Sequence, residues 1–219
     1  GAEVREVVEG KLGALGADYA DAAVLACDGG GWEAWAPAWR ELERLHDEGR
    51  VLALGVAGFN VDMLSELFAQ AAVRPAFVRS PFSVHHLGDR DEARRSDSLM
   101  EWLLLNGVAM VAHRPGAGEG AYLEPLRDPH VLAVATRVGR SPAQVLHRWL
   151  LQLGAAVVSR STRRAELLED ARVFDFSLGE AEMRLLNGIA ALAASSPGRR
   201  APQWCEDVYD LGRLSDEGW

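Results

Sequence analysis

Short apolar runs alternate along this chain with longer segments of helical period. Residues 22–26, 51–56, 76–79, 108–112 and 155–158 are almost continuously apolar and are bounded by Gly, Pro or charged residues. Parallel strands covered on both faces have this pattern, and its alternation with helices predicts an α/β fold. The segments between carry readable helix ends. Trp35, Trp39, Leu42 and Leu45 recur at helical spacing, with Gly49 placed to close that helix. Asn60 reads as an N-cap with Asp62 against the helix dipole, and Leu64, Leu67 and Phe68 on the apolar side. A helix over residues 98–106 stops at Gly107. Asp128-Pro129 and Ser141-Pro142 are cap-then-proline starts, and Gln144 completes a capping box with Ser141. A second box, Ser177 with Glu180, predicts a last helix over residues 178–192.

Five strands matched with five helices suggest the last five units of a (β/α)8, TIM-barrel-type fold. A full barrel spends about 30 residues on each unit, so roughly 90 residues of N-terminal units are missing from 219. The expected organisation is a partial barrel over residues 1–196 and an extended, aperiodic tail over residues 197–219. An opened barrel exposes two strand edges, at residues 22–26 and 155–158. Its inward side chains, with Val24, Val56, Val78, Val111 and Val157 expected among them, lose their enclosing layer. The chain is therefore expected to be unstable alone, held by a partner or by residues upstream.

Composition narrows the function classes. A net charge of −9 argues against nucleic acid. Lys11 is the only lysine, which fits a coding bias toward arginine. No apolar run of about 18 residues exists, so no transmembrane helix is expected. The first residues have neither an initiator Met nor a signal pattern and enter a helix at once, as in a processed form or a fragment. Cys27 and Cys205 form no CxxC and suggest neither a disulfide framework nor a zinc site, which fits a reducing compartment. The adjacent His85 and His86 are poorly spaced for one metal ion. Arg90, Arg94 and Arg95 lie among Asp89, Asp91, Glu92 and Asp97, a mixed solvated face. Arg199-Arg200 with Trp204 and Trp219 give the tail interface-type residues and suggest docking on a protein partner.

Four stretches carry a family resemblance. Leu15-Gly16-Ala17-Asp18-Tyr19-Ala20-Asp21 and Glu48-Gly49-Arg50-Val51-Leu52-Ala53-Leu54-Gly55-Val56 resemble the aldo-keto reductase pattern LGxDYxD … xGKVRxxGVSNF. Ser141-Pro142-Ala143-Gln144-Val145-Leu146-His147-Arg148-Trp149 resembles SxAQVxLRW, and Val173-Phe174-Asp175-Phe176-Ser177-Leu178 is similar to xFDFxL. The resemblance implies NADPH-dependent carbonyl reduction by an Asp, Tyr, Lys and His tetrad. The first three belong to units absent here, and Ala26, followed by Cys27, stands at the histidine position. Neither replaces an imidazole as a donor to a substrate carbonyl.

The implied cofactor positions are altered as well. Ala57-Gly58 stands for the carboxamide-binding SN, Arg79 for a Gln, and His113 for the Tyr that stacks on nicotinamide. Arg160-Ser161 falls on the 2′-phosphate-binding KS, and Glu169-Asp170 on the adenine-binding EN. Glu166 replaces a phosphate-binding Arg, and Gly116-Ala117-Gly118-Glu119-Gly120 reads as a pyrophosphate loop or a plain one. The expectation is a catalytically silent, aldo-keto-reductase-like subunit of a larger assembly, without catalytic residues and without a cofactor. The alternative is an NADPH-dependent carbonyl reductase whose N-terminal half lies outside this chain. A third reading, a nucleotide-sensing module, needs only the adenosine half-site around Arg160. If NADP(H) binds, the resemblance implies Arg160, Ser161, Glu169, Asp170 and His113 as its contacts.

Overall fold

The structure, a computed structural model, describes residues 2–26, 30–85, 99–113 and 125–194. They fall into two compact units, one within Gly1–Arg79 and Trp102–Ala109, the other within Ser80–Glu101 and Met110–Trp219. The strands are β1 (Ala20–Ala26), β2 (Val51–Ala57), β3 (Phe77–Pro81), β4 (Ala109–His113) and β5 (Ala156–Val158), in sheet order β1-β2-β3-β4-β5. Strands β1 and β2, β2 and β3, and β4 and β5 pair in parallel, as the apolar runs predict. Cys27, His86, the 116–120 glycine cluster, the Arg90–Arg95 stretch and the tail with Arg199, Arg200, Trp204 and Trp219 lie outside the described residues.

In the first unit, α1 (Ala2–Leu15) lies against α2 (Trp32–Asp47) through Arg5, which donates to Glu41 at 2.6 Å and Glu48 at 2.7 Å. Trp32, Trp35, Trp39, Leu42 and Leu45 form the buried stripe of α2. The chain leaves that helix through Gly49, whose φ of 72° is left-handed and suits glycine. Helix α3 (Val61–Gln70) starts as expected, with the Asn60 side chain accepting from the Met63 N–H at 2.9 Å. Helix α4 (Leu99–Asn106) brings the Trp102 ring edge-on to Phe68, centroids 4.9 Å apart.

Register corrects the expected face assignment. Leu25 pairs with Val56, and Val56 with Val78, so these three share one face. Val24 pairs with Gly55, and Gly55 with Phe77, on the other face. Because side chains alternate with period two, Val24 cannot point the same way as Val56 and Val78. Val56 and Val78 are fully buried, whereas Val24 is 41% exposed. Likewise Val111 pairs with Ala156 and Val157 with Ala112, which puts the two valines on opposite faces. A Cβ on Gly55 would sit 2.4 Å from two carbons of the Phe77 ring. Gly55→Val is therefore expected to cost about 1–3 kcal/mol through overpacking; an unchanged midpoint of urea unfolding would contradict that.

In the second unit, α5 (Pro129–Val138) begins at Asp128 and α6 (Pro142–Gln152) at Ser141, where the capping box forms with Gln144. Helix α7 (Arg164–Ala171) has no buried residue and so no apolar stripe for a sequence pattern to show. The last helix, α8 (Glu180–Ala194), starts two residues later than the Ser177–Glu180 box requires. Leu178 is buried and its N–H donates to Gln152 Oε1 at 2.7 Å, which holds it outside the helix, and the first helical carbonyl is that of Gly179. Trp149 is buried and donates Nε1–H to Asn187 of α8 at 2.7 Å. No described helix is long and apolar enough to cross a membrane.

Candidate functional site: the segment following the last strand

Residues Ser159, Arg160 and Ser161 follow directly on the carboxyl end of β5. Parallel α/β folds bind ligands at that end of their strands. Val158 pairs with His113, the last residue of β4, so the structure brings two expected cofactor positions to neighbouring strand ends. They differ in access. The His113 side chain is buried, whereas Arg160 is exposed and has no hydrogen-bond or ion-pair partner among the described residues.

The groups around Arg160 are engaged with one another. The Ser161 hydroxyl accepts from the Arg163 N–H at 2.9 Å and donates to Glu166 Oε2. The other Glu166 oxygen pairs with the Arg163 guanidinium. The Ser161 hydrogen bond, joined by Arg163, holds the Glu166 carboxyl below the usual carboxylate range, so it is ionised at neutral pH. An anion approaching Ser161 meets a carboxylate already in place.

Asp170 is occupied as well. Its Oδ2 accepts from the Ser159 hydroxyl at 2.7 Å, and its Oδ1 pairs with Nδ1 of His147 at 3.0 Å. Both carboxylate oxygens are thus spoken for inside the protein, which leaves Glu169 as the member of the expected adenine pair whose side chain has no partner among the described residues. The Glu169 backbone carbonyl accepts from Gln144 Nε2 at 3.0 Å. From the same helix, Arg148 donates to the Val173 carbonyl at 3.4 Å and Gln152 to that of Leu178 at 3.0 Å. Helix α6 therefore carries a polar stripe, Gln144, His147, Arg148 and Gln152, that fastens the chain over residues 169–178. His147 is the member that the sequence reading passed over. A histidine inside the otherwise apolar run Val145-Leu146-His147 was the available signal.

A second buried pair went unforeseen. Asp128 Oδ1 caps α5, accepting from the His130 N–H at 2.8 Å and the Val131 N–H at 3.3 Å, while Oδ2 accepts from His85 Nε2 at 2.8 Å. The positions are 43 apart in sequence, which hides the pairing from any local pattern. His85 Nδ1 is buried without a hydrogen-bond partner. Among the described residues no group of three or more His, Cys, Asp or Glu is placed to hold a metal ion.

In the first unit, the strand ends carry the other altered positions. β1 ends at Ala26 and β2 at Ala57, followed by Gly58 with a left-handed φ of 77°. None of the three has a side chain able to hydrogen-bond. Arg79, paired in register with Ala57, is exposed.

The family model for the aldo/keto reductase family matches residues 2–191. The chain belongs to the aldo/keto reductase family. It is 32% identical to morphine 6-dehydrogenase of Pseudomonas putida over 187 residues, which cover 80% of this chain and 60% of that enzyme. It is 33% identical to 9,11-endoperoxide prostaglandin H2 reductase of Trypanosoma cruzi over 175 residues, 79% of this chain and 57% of the relative. Among solved structures, an aldo/keto reductase from Brucella melitensis superposes with a TM-score of 0.73 at 22% identity, covering 85% of this chain and 67% of its own. MGS-M4, an aldo-keto reductase enzyme from a deep-sea metagenome library, gives 0.76 at 23%, covering 86% and 66%. These two likenesses establish the fold, that of aldo/keto reductase enzymes. This aldo/keto reductase chain spans about three fifths of the two curated relatives it matches here.

Proposed function

We propose that this chain forms the nucleotide-binding part of an NADP(H)-dependent oxidoreductase acting on carbonyl or alcohol substrates. The observation that carries it is the exposed Arg160 at the carboxyl end of β5, without a hydrogen-bond or ion-pair partner among the described residues, on a backbone fastened by Ser159, Asp170 and His147. The reading departs from the expectation of a silent protein without cofactor, and what supports the change is that the relatives are named as a dehydrogenase and a reductase. A guanidinium suits the 2′-phosphate of the dinucleotide through charge-assisted hydrogen bonds. The fit is good at Arg160 and strained at Ser161, where Glu166 takes the hydroxyl and repels a phosphate. When bound, the nicotinamide supplies or accepts the hydride. Residues of this chain bind and orient the other end of the nucleotide: Arg160 holds the phosphate, Glu169 faces the adenine, and Ser159 fixes the backbone between them.

Titration of NADPH fluorescence tests this directly. Hydrogen bonds to charged groups contribute about 1.5–3 kcal/mol, so Arg160→Ala is expected to weaken binding roughly tenfold or more. Unchanged affinity would refute the assignment of Arg160. A second reading, a silent family member serving as a subunit, rests on Ala26, whose methyl group ends β1 where the resemblance implies an imidazole. Assay of NADPH oxidation with a panel of aldehydes and ketones separates the two. Turnover supports the oxidoreductase, and binding without turnover supports the subunit.

A further inference from the structure

We propose that His147 is a positioning residue for the nucleotide, holding Ser159-Arg160-Ser161 in place through Asp170 and releasing it when the imidazole is protonated. The inference rests on the reading of Arg160 as a nucleotide contact. Its basis is a close polar contact followed by a hydrogen bond, which together link the buried face of α6 to the residue preceding Arg160. His147 Nδ1 lies 3.0 Å from Asp170 Oδ1, and Ser159 Oγ donates to Asp170 Oδ2 at 2.7 Å. Helix α7 has no fully buried residue, and this contact together with the bond from Gln144 to the Glu169 carbonyl ties it to α6.

Charge enters this chain at one point. The His147 side chain is 11% exposed, and burial pushes the imidazole below its ordinary value of 6.5, with Asp170 opposing. Asp170 is the charged group in contact with it among the described residues. Of the elements packed on α6, β5 carries no titratable side chain. The 3-10 turn Pro125–Arg127 carries Arg127, and α5 carries an exposed His130 and Arg137, the latter paired with Glu182 of α8 at 3.1 Å. On α7, Glu166 is engaged with Ser161 and Arg163, Arg164 is exposed, and Glu169 meets α6 through its backbone. On α6 itself, Arg148 bonds to Gln152 at 3.0 Å. A proton on His147 is thus disfavoured while the ring stays buried. In acid the ring gains by reaching water, which breaks its contact with Asp170 and loosens the carboxylate that holds Ser159. The sign follows: a depressed folded-state value means that the coupling is complete above about 6.5 and is lost as pH falls through the folded value.

The test is NADP+ affinity of the full-length protein, measured calorimetrically between pH 5 and 8, for the wild type and for His147→Asn, Ser159→Ala and His147→Leu. Asparagine keeps a donor near the Nδ1 position but does not titrate. The 2′-phosphate has its own ionisation near about 6, which is common to all four proteins and cancels in the comparison. The wild type is expected to lose roughly five- to tenfold more affinity on acidification than His147→Asn. Ser159→Ala and His147→Leu are expected to bind several-fold more weakly at pH 7.5, the leucine filling the buried site without a donor. Side-chain NMR of His147 adds a readout of its titration independent of ligand. Identical pH profiles for the wild type and His147→Asn, with NADP+ bound by both, would overturn the role of His147 alone. Absence of NADP+ binding by every variant at every pH would overturn the nucleotide reading together with it.

Discussion

Trp39→Ala is expected to lower stability by about 3–5 kcal/mol, the largest effect of any single truncation proposed for this protein. Trp39 is fully buried in the stripe of α2 that also contains Trp35, Leu42 and Leu45. Its indole N–H donates to the Val73 carbonyl at 3.2 Å, from the segment that leads into β3. Alanine therefore removes a large apolar surface, leaves a cavity and strips a partner from a backbone carbonyl. Trp39→Phe separates these contributions, because it keeps most of the ring volume and loses only the donor. Urea unfolding followed by far-ultraviolet circular dichroism measures both. A loss below about 1 kcal/mol for alanine would mean that the stripe around Trp39 is not the packed core of the first unit.

Asp128→Ala should cost about 2–4 kcal/mol, the sum of a lost helix cap near 1 kcal/mol and a buried donor left without its acceptor at about 1–3 kcal/mol. The donor is Nε2 of His85, whose side chain is 8% exposed. The effect depends on pH in a determined direction. Burial pushes the Asp128 carboxyl up, but the His85 hydrogen bond and the His130 and Val131 amides together outweigh it and hold it below its ordinary value of 3.8. Its contribution is thus present above about 4 and is lost as pH falls through the lowered folded value. The stability difference between wild type and Asp128→Ala should shrink between pH 5 and pH 2. A difference that stays constant would mean that the carboxylate charge is not what binds His85 and the helix amides.

Much of this fold was legible because its determinants are local. The caps at Asn60, Asp128 and Ser141 are set by one side chain and the backbone within three residues, and each formed as the residues imply. The strand runs were legible because apolar continuity survives in β2, buried at both Leu54 and Val56. Helix α7 escaped notice because its amphipathic signal is absent: Leu167 and Leu168 are about half exposed. The Ser177–Glu180 box failed because Gln152, 26 positions away, claims the Leu178 amide. At the site, Arg160 and Ser161 were found through the family pattern. Whether Asp170 was available to a ligand could not be read there, because His147 and Ser159 take its oxygens from 23 and 11 positions away.

The polar stripe of α6 has a consequence for how this protein can change over time. Core helices constrain each other through volume, so a substitution in one demands compensation in its neighbour. Helix α7 is under less of that demand, since none of its residues is fully buried and its ties to α6 include the Asp170 side chain and the Glu169 backbone carbonyl. Side chains along the rest of α7 can therefore be exchanged with little repacking beneath them. Selection can alter which nucleotide or anion this edge of the fold accepts at little cost in stability, with Gln144, His147 and Asp170 as the fixed frame and residues 160–168 as the variable surface.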